Sequence, residues 1–386
     1  MNVFTVSREY GAGGGEAARK LADALGCELL DRELLRQAAA VEQLPDADLE
    51  RLDEQAVSRS GRLRRDPLHE KYIHGLTEAA RQAAARGNVV LVGRGTHQLL
   101  GEEEAFHLRM VAPRDWRVAR MAEREGWTRE QALAHCQEVD RTRDRFVRYF
   151  FGPDAARLDQ YDLIVNTSRV RIDDVVSSIV QLFRDPEGGL ESPGGGPRVL
   201  TLSRELGAGD TGFAPTLASR LGMWAHDREL LEQQALRLGV SEEELEKIDE
   251  QPPGLFQRLL PGSLYHRYLN VVGQLMKELA GRGNVILVGR GGSRLLSDQP
   301  GAFHVRLIAA PEVRVRRVME HRWMREGAAR QLIDETDARR HRFFENAFGV
   351  DWSDPLQYHI TVNTGRLGPS AVDLVPLIAS RYWARP

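Results

Sequence analysis

The residues S-R-E-Y-G-A-G-G-G-E at positions 7–16 decide the fold of this chain. They follow a short β-rich run at 3–6 and precede residues 16–25, in which apolar side chains recur at helical spacing. A glycine-rich turn between a strand and a helix lets backbone N–H groups point at an anion, and the helix N-terminus adds about half a positive charge. The pattern predicts a phosphate-binding loop, although close packing of a helix on a sheet also requires glycine.

The predicted loop departs from the full phosphate-loop pattern G-x-x-x-x-G-K-[ST], which the chain lacks. When the loop is aligned on the final G-x-G of that pattern, Gly14 takes the lysine position and Gly15 the hydroxyl position. The nearest substitute cation is Arg8, which is either a bidentate phosphate ligand or the ion-pair partner of Glu9 or of a helix carboxylate. The expected phosphate ligands are Ser7, Gly11, Ala12, Gly13, Gly14 and Gly15.

The whole unit occurs twice in the chain. At an offset of 196 residues, S-R-E-Y-G-A-G at 7–13 returns as S-R-E-L-G-A-G, and G-N-V-V-L-V-G-R-G at 87–95 returns as G-N-V-I-L-V-G-R-G. After a one-residue insertion, D-x-x-R-x-R-F at 140–146 recurs at 337–343, and Q-Y-D-L-I-V-N-T at 160–167 recurs as Q-Y-H-I-T-V-N-T. The repeat predicts two copies of one fold that pair with each other within the chain.

The segment between the copies is rich in glycine and proline and predicts a linker. We therefore expect one domain at 1–185, a linker at 186–197 and a second domain at 198–386. The 386 residues, of which 42% are hydrophobic and 28% charged, are typical of globular domains. A net charge of −3 argues against a protein whose main partner is nucleic acid. The absence of a long apolar stretch and of a signal-peptide pattern favours a cytoplasmic protein without a membrane partner.

Strand patterns alternate with helix patterns in each copy. Residues 88–92 form an apolar run between two glycines, which is typical of a strand buried on both faces of a parallel sheet. Further strands are predicted at 106–111 and 163–165, and helices at 77–86, 115–124 and 172–183. This alternation predicts an open parallel α/β sheet, whose ligands bind at the carboxyl ends of the strands. The loop at 7–15, Asp31 and the turn at 93–95 all fall at that edge.

Together with L-L-D-R-E-L-L at 29–35, V-G-R-G at 92–95, D-R-T-R-D-R-F at 140–146 and Y-D-L-I-V-N-T at 161–167, the loop resembles the cytidylate kinase-like branch of the P-loop nucleoside monophosphate kinases. The resemblance covers nearly the whole of both copies and implies two tandem P-loop NTPase-type α/β domains, each an open parallel sheet flanked by helices. The usual loop of that family reads S-R-E-Y-G-S-G-G-R-E. Gly15 therefore stands where an arginine is common, and Thr211 stands there in copy two.

The resemblance implies roles for residues outside the loop. Asp31 matches an aspartate near the nucleoside monophosphate, although it could instead cap a helix that begins at the next residue. Arg94 matches the arginine that clamps the acceptor phosphate, and Arg143 and Arg145 match a lid that supplies positive charge as the phosphoryl group moves. The lid pattern also fits a solvated helix face with ion pairs. The equivalents in copy two are Arg204, Gly207, Gly209, Asp227, Arg290, Arg340 and Arg342.

Three further patterns have a structural interpretation. Arg117, Arg120 and Arg124 form one stripe on a predicted helix and are interpreted as surface residues. The charged segments 41–65 and 236–260 lie where kinases of this type insert a segment for the monophosphate. The aromatic cluster Phe146, Tyr149, Phe150 and Phe151 is predicted to form core beneath the lid, with base stacking as the alternative.

The sequence thus predicts a kinase that binds ATP with Mg²⁺ and a pyrimidine nucleoside monophosphate and transfers the γ-phosphoryl group. Arg8, Arg143 and Arg145 are the expected catalytic residues, and the magnesium ion arrives with the nucleotide because no protein-only metal cage is evident. Asp210 at the lysine position of copy two would repel phosphate, so copy one is the expected active copy. The alternative, favoured by the missing lysine in both copies, is a nucleotide sensor or scaffold that retains the fold without phosphoryl transfer.

Overall fold

The computed structural model describes residues 2–31, 67–101, 105–186, 188–192, 196–209, 212–227 and 264–385. Asp210, Thr211 and the charged segments at 41–65 and 236–260 lie outside the described residues. The chain divides into two compact units, Met1–Asp185 (unit one) and Pro186–Pro386 (unit two).

Unit one contains a parallel sheet in the strand order β2-β3-β1-β4-β5. The strands are β1 (Val3–Arg8), β2 (Glu28–Leu30), β3 (Val89–Val92), β4 (Phe106–Val111) and β5 (Leu163–Asn166). The helices are α1 (Gly14–Leu25), α2 (Pro67–Arg86), α3 (Thr96–Leu99), α4 (Arg114–Glu125), α5 (Arg129–Phe151) and α6 (Ile172–Arg184), with short 3₁₀ turns at Pro153–Ala156 and Leu158–Gln160.

The helices cover both faces of this sheet because successive strand residues point to opposite sides. Val3 and Val89 belong to a buried cluster with Tyr72 and Leu76 of α2. Phe4, the next residue along β1, packs edge-on against Phe183 of α6. All four residues of β3 are buried, as expected for an inner strand that is covered on both sides.

Unit two repeats this arrangement in the strand order β7-β8-β6-β9-β10. Its strands are β6 (Val199–Arg204), β7 (Trp224–His226), β8 (Val285–Val288), β9 (Ala302–Ile308) and β10 (Ile360–Asn363). Its helices are α7 (Phe213–Leu221), α8 (Leu264–Arg282), α9 (Gly292–Leu295), α10 (Pro311–Arg322), α11 (Glu326–Phe348), α12 (Thr364–Leu367) and α13 (Ser370–Trp383). The predicted fold class, an open parallel sheet flanked by helices in two tandem copies, is confirmed.

The repetition extends to buried polar contacts. Thr5 Oγ1 lies 2.8 Å from His107 Nδ1 in unit one, and Thr201 Oγ1 lies 2.8 Å from His304 Nδ1 in unit two. The strands 89–92 and 285–288 are equivalent, since each pairs with the first strand of its own unit.

None of the described helices combines the length and the apolar composition that are needed to cross a bilayer.

Candidate active site

The glycine loop connects β1 to α1 and is packed tightly against two helices. Gly11 and Gly13 have φ angles of 82° and 84°, in the left-handed region that favours glycine. A Cβ on Gly13 would lie 2.4 Å from a side-chain carbon of Ile172 in α6, and one on Gly11 would lie 3.0 Å from Met121 in α4. α1 then begins at Gly14, where the first N–H groups of a helix have no intrahelical acceptor. The turn between β1 and α1 therefore requires glycine at these two positions.

Arg117 of α4 holds the loop in place. Its guanidinium donates to the carbonyl of Tyr10 at 2.8 Å and to the carboxylate of Asp140 in α5 at 2.6 Å, and it lies 3.3 Å from Glu9. The other oxygen of Asp140 accepts the Tyr10 N–H at 2.7 Å. Because Arg117 is only 6% exposed, its interpretation as a surface residue is wrong. It is a buried strut between the loop and two helices.

The other members of the predicted surface stripe differ from each other. Arg120 donates to the carbonyl of Gly11 at 3.1 Å and to Glu16 of α1 at 2.8 Å, so it also braces the loop. Arg124 is exposed and contacts its neighbour Glu125, as the surface interpretation expects. Unit two repeats the strut, since Arg314 pairs with Asp337, whose carboxylate accepts the N–H of Leu206 at 3.0 Å.

A cavity of about 830 Å³ opens at the carboxyl ends of β1 and β3 in unit one. Ser7, Arg8, Asp31, Arg94 and Arg143 are among the residues that line it. The residues of the glycine loop from Gly11 to Gly15 are not among them. The cavity therefore reaches the start of the loop, at Ser7, Arg8 and Glu9, but not its glycines.

Arg8 connects the glycines of the loop with the cavity. A Cβ on Gly14 would lie 2.4 Å from Cβ and 2.9 Å from Cγ of Arg8, so the stem of Arg8 passes directly over Gly14. A Cβ on Gly93 would lie 2.1 Å from Nη1 of Arg8, which places the guanidinium beside the turn after β3. The glycine at the lysine position therefore makes room for an arginine that enters from the end of β1.

Asp31 joins two of the predicted arginines. Its carboxylate lies 3.5 Å from Nη2 of Arg8 and accepts from Nη1 of Arg94 at 3.1 Å. Of the two interpretations of Arg8, an ion pair does form, but the partner is Asp31 and not Glu9, which contacts Arg117.

Arg94 has a φ of 52°, and its equivalent Arg290 has the same value. A left-handed backbone is unfavourable for a long side chain and persists where the surrounding structure enforces it, often at functional sites. The turn after β3 thereby directs the guanidinium of Arg94 towards Asp31 at the cavity wall. The same strain in both units marks this turn as a feature that the fold maintains.

Arg143, on α5, is the third arginine at this cavity. Its Nη1 donates to the backbone carbonyl of Arg8 at 3.3 Å, and in unit two Arg340 donates to the carbonyl of Arg204 at 2.8 Å. Arg145, in contrast, is exposed on α5 and is not among the described residues that line the cavity, and Arg342 is likewise exposed. The structure thus brings Arg8, Arg94 and Arg143 together at the wall of one cavity, with Asp31 paired to the first two, and leaves Arg145 outside.

The charges of this group favour an anion. Burial, together with the neighbouring Arg143, lowers the pKa of Arg8 to about 10, although Asp31 opposes the shift. Burial also lowers the pKa of Arg143. The exposed carboxylates Glu138 and Asp144, which line the cavity, pair with arginines of their own helix, and Glu9 and Asp140 share Arg117. Arg8 and Arg94 therefore share the carboxylate of Asp31, with Arg143 close enough to lower the pKa of Arg8, and a phosphate would relieve the mutual repulsion of these guanidiniums.

Sequence reasoning missed three residues of the cavity wall. His97 of α3, Arg109 of β4 and Tyr161 also line the cavity. His97 Nε2 lies 3.0 Å from the hydroxyl of Tyr161, which accepts from Arg109 Nη1 at 3.1 Å. Only His97 follows a predicted strand, so its nearness to the carboxyl end of β3 was an available signal; Arg109 lies within β4 and Tyr161 precedes β5, and neither position gave one.

The aromatic cluster of α5 forms core. Phe146 is 5% exposed and packs edge-on against Tyr72 of α2, and Phe150 and Phe151 pack against the same buried cluster. Tyr149 hydroxyl lies 2.8 Å from Nδ1 of His69. The prediction of core beneath the lid therefore fits this geometry better than base stacking does.

The equivalent site of unit two is smaller. Its cavity measures about 190 Å³ and is lined by Arg204, Arg290 and Arg340. Gly207 has a φ of 83°, and a Cβ there would lie 2.8 Å from the carbonyl oxygen of Arg314, so this loop is packed like its counterpart. A Cβ on Gly209 would lie 3.0 Å from Leu307, and Asp227 is exposed after β7. Across the described ranges, no group of three or more His, Cys, Asp or Glu residues is arranged to hold a metal ion.

The family model of the cytidylate kinase-like family matches residues 3–169 and again residues 199–366. The cytidylate kinase of Ignicoccus hospitalis is 27% identical over 183 residues, which are 47% of this chain and 99% of that protein. The cytidylate kinase of Haloarcula marismortui is 30% identical over 169 residues, 43% of this chain and 81% of that protein. The crystal structure of an uncharacterized protein from Eubacterium ventriosum covers 47% of this chain and 96% of its own, with 21% identity and a TM-score of 0.38.

Proposed function

The chain belongs to the cytidylate kinase-like family, and we propose that it is a nucleoside monophosphate kinase whose unit one transfers the γ-phosphoryl group of ATP, bound with Mg²⁺, to a pyrimidine nucleoside monophosphate. The observation that carries this proposal is a cavity beside the glycine loop that Arg8, Arg94 and Arg143 line together, with Arg8 and Arg94 paired to Asp31 and Arg143 bonded to the backbone carbonyl of Arg8. Phosphoryl transfer needs positioning and charge neutralisation more than covalent chemistry, and this arrangement supplies both.

Arg94 is the proposed ligand of the acceptor phosphate. It lies at the cavity wall, its side chain is 13% exposed, and its guanidinium can present two parallel N–H groups to a phosphate. Asp31 holds Arg94 through one oxygen, and it is the proposed acceptor for a ribose hydroxyl or a base amino group of the monophosphate. Binding and orientation of the acceptor thus depend on the turn after β3 and the end of β2.

Arg8 is the proposed replacement for the missing lysine. The amide groups from Gly11 to Gly15 would hold the donor phosphates at the N-terminus of α1, and Arg8, which passes over Gly14, would place its charge between donor and acceptor. An oxygen of the acceptor phosphate attacks the γ-phosphorus, the bond to the β-phosphate oxygen breaks, and ADP leaves. Arg143, and Arg145 if α5 moves towards the cavity, would neutralise the charge of the transferring group.

A coupled assay of ADP production tests the proposal. The intact chain is incubated with ATP and Mg²⁺ and, separately, with CMP, dCMP, UMP and AMP. The proposal expects ADP to form when a pyrimidine monophosphate is present and expects little ADP with ATP alone. ADP formation that does not depend on any monophosphate would contradict it.

A second candidate function follows from the absence of a lysine in the loop. A glycine at that position favours a nucleotide sensor that binds ATP and monophosphate without transfer. The same assay separates the two, because a sensor binds both nucleotides in a calorimeter and yet produces no ADP.

A further inference from the structure

The cavity beside the glycine loop differs between the two units. The cavity of unit one measures about 830 Å³, whereas that of unit two measures about 190 Å³. The two units share their strand order, but their backbones differ before the last strand: Ala155 lies in the 3₁₀ turn Pro153–Ala156, whereas Trp352 precedes the 3₁₀ turn Pro355–Gln357. The side chains differ there as well, since Trp352 lines the smaller cavity and is 4% exposed.

Two positions at the cavity carry different side chains in the two copies. Trp352 stands where unit one has Ala155, and Ser293 stands where unit one has His97. In unit one, His97 Nδ1 lies 3.4 Å from the hydroxyl of Ser7. In unit two, the indole N–H of Trp352 donates to the equivalent hydroxyl of Ser203 at 2.8 Å. The larger indole thus takes over the contact of the imidazole and extends into the space that is open in unit one.

The indole also covers an arginine. The guanidinium of Arg306 lies 4.2 Å from the ring centroid of Trp352, donates to the carbonyl of Trp352 and donates to Glu205 at 3.0 Å. The side chain of Arg306 is 2% exposed. Its counterpart Arg109 donates to Tyr161 and lines the open cavity. A guanidinium that faces the cavity in unit one is therefore buried beneath an aromatic ring in unit two.

A nucleoside monophosphate that occupied the position of this ring would have to displace it. Displacement would break the hydrogen bond to Ser203 and the cation–π contact with Arg306, and it would leave the buried guanidinium with fewer partners. The hydrogen bond to Ser203 and the cation–π contact with Arg306 therefore stabilise Trp352 in this position.

We propose that Trp352 closes the acceptor cavity of unit two, so that the chain binds one nucleoside monophosphate, in unit one, where Ala155 and His97 keep the cavity open. The ligand class in this statement rests on the proposed function. The closure itself rests on the side-chain contacts of unit two.

Titration calorimetry of the intact chain with CMP tests the stoichiometry. We expect one site per chain in the wild type and two sites in the double variant Trp352→Ala, Ser293→His, which rebuilds the side chains of unit one. Trp323→Ala is the matched control, because Trp323 lies in the same unit and is 93% exposed, and it should retain one site. Two equivalent sites in the wild type would overturn the proposal.

The reverse exchange keeps the proposal testable if the first double variant does not fold. Ala155→Trp with His97→Ser should close unit one and abolish CMP binding. Because Ala155 is 2% exposed, the thermal midpoint should also fall, and circular dichroism establishes that the variant is folded. Unchanged CMP affinity in this folded variant would overturn the assignment of Trp352 as the closing residue.

Arginine modification provides a readout that needs no nucleotide. The intact chain is treated with phenylglyoxal and its peptides are mapped by mass spectrometry. We expect modification at Arg109 and protection at Arg306, and Trp352→Ala should make Arg306 reactive. Equal modification of the two arginines in the wild type would overturn the closure. If CMP, UMP and AMP all fail to bind while the protection pattern holds, the proposed function fails and the closure stands.

Discussion

Arg94 combines a strained backbone with a buried guanidinium, and Arg290 repeats the strain at the equivalent position of unit two. Strain of this kind costs about 1–3 kcal/mol and is retained when the surrounding structure enforces it. In unit one the position directs a cation to the end of a buried strand, where ligands of parallel sheets bind. Arg94 and Arg8 are therefore the two residues whose replacement is most informative.

Replacement of Arg94 by lysine should weaken monophosphate binding selectively. Lysine keeps the charge but cannot present two parallel N–H groups, so we expect a loss of roughly 1.5–3 kcal/mol, or about 10- to 150-fold in Kd. ATP affinity and the thermal midpoint should change little. Calorimetry with CMP and with ATP measures both affinities, and Arg129→Lys, at an exposed ion pair, is the control. A uniform loss of stability and of both affinities would instead make Arg94 a structural residue.

The lowered pKa of Arg8 predicts a dependence on pH. Burial lowers the pKa of Arg8 to about 10, well below its ordinary value, so the guanidinium is charged at neutral pH and loses its proton as the pH passes through about 10. ATP affinity should therefore be highest below pH 10 and should fall as the pH passes through about 10. Above about pH 10 the folded state loses this proton while the unfolded state retains it, so the contribution of Arg8 to the free energy of unfolding should rise.

Arg8→Met isolates this effect from other groups that titrate near pH 10. The variant should bind ATP more weakly at pH 8, and its affinity should show less decline between pH 9 and 11 than that of the wild type. Its ligand-free thermal midpoint should be equal or higher, because a buried charge beside Arg94 and Arg143 is removed. An identical pH profile in wild type and variant would exclude Arg8 as a phosphate ligand.

At the scale of elements, the junction of β1 and α1 shows why the loop lacks its lysine. The stem of Arg8 occupies the space in which a Cβ of Gly14 would lie, whereas a Cβ on Gly15 would meet nothing within 4 Å. Neither glycine has a positive φ, so both positions can accept alanine as far as the backbone is concerned. The two adjacent glycines are therefore a matched pair that differs only in packing.

Alanine at these two positions should change the free energy of unfolding in opposite directions. Gly14→Ala should lower the free energy of unfolding by about 1–3 kcal/mol through overpacking, and Gly14→Lys should do the same without restoring a standard phosphate loop. Gly15→Ala should raise it by about 0.5–1 kcal/mol, because alanine is the better helix former. Urea unfolding measures both. Arg8→Gly should rescue Gly14→Lys, and equal stabilities of the two alanine variants would contradict the packing of Arg8 over Gly14.

The sequence predicted the elements better than it predicted their contacts. Runs rich in apolar residues identified β1, β3 and β4. In β3, which is buried on both faces, the apolar run is continuous. The role of Arg117 could not be predicted, because its carbonyl and carboxylate acceptors are supplied by Tyr10 and by Asp140 of another helix. Helical spacing alone suggested an exposed stripe. His97 was likewise missed, since the motif around it contained no signal except its nearness to the turn at 93–95.

At the scale of the whole molecule, the chain carries one fold twice with two different cavities. The repeated strand order and the repeated strut of Arg117 and Arg314 maintain the fold in both units. The pairing of the two copies within the chain remains a prediction, as does the repulsion of phosphate by Asp210. The duplication was readable from the sequence, but the effect of exchanging Ala155 for Trp352 was not, because it depends on which side chains surround that position.

The most direct test of the central claim is the rate of CMP-dependent ADP production by the intact chain, measured in parallel for the wild type, Arg94→Lys and Arg290→Lys. If phosphoryl transfer takes place in unit one, the rate at subsaturating CMP should fall by about 10- to 150-fold in Arg94→Lys and should change little in Arg290→Lys. No CMP-dependent ADP from the wild type, or a loss of rate in Arg290→Lys but not in Arg94→Lys, would contradict the account.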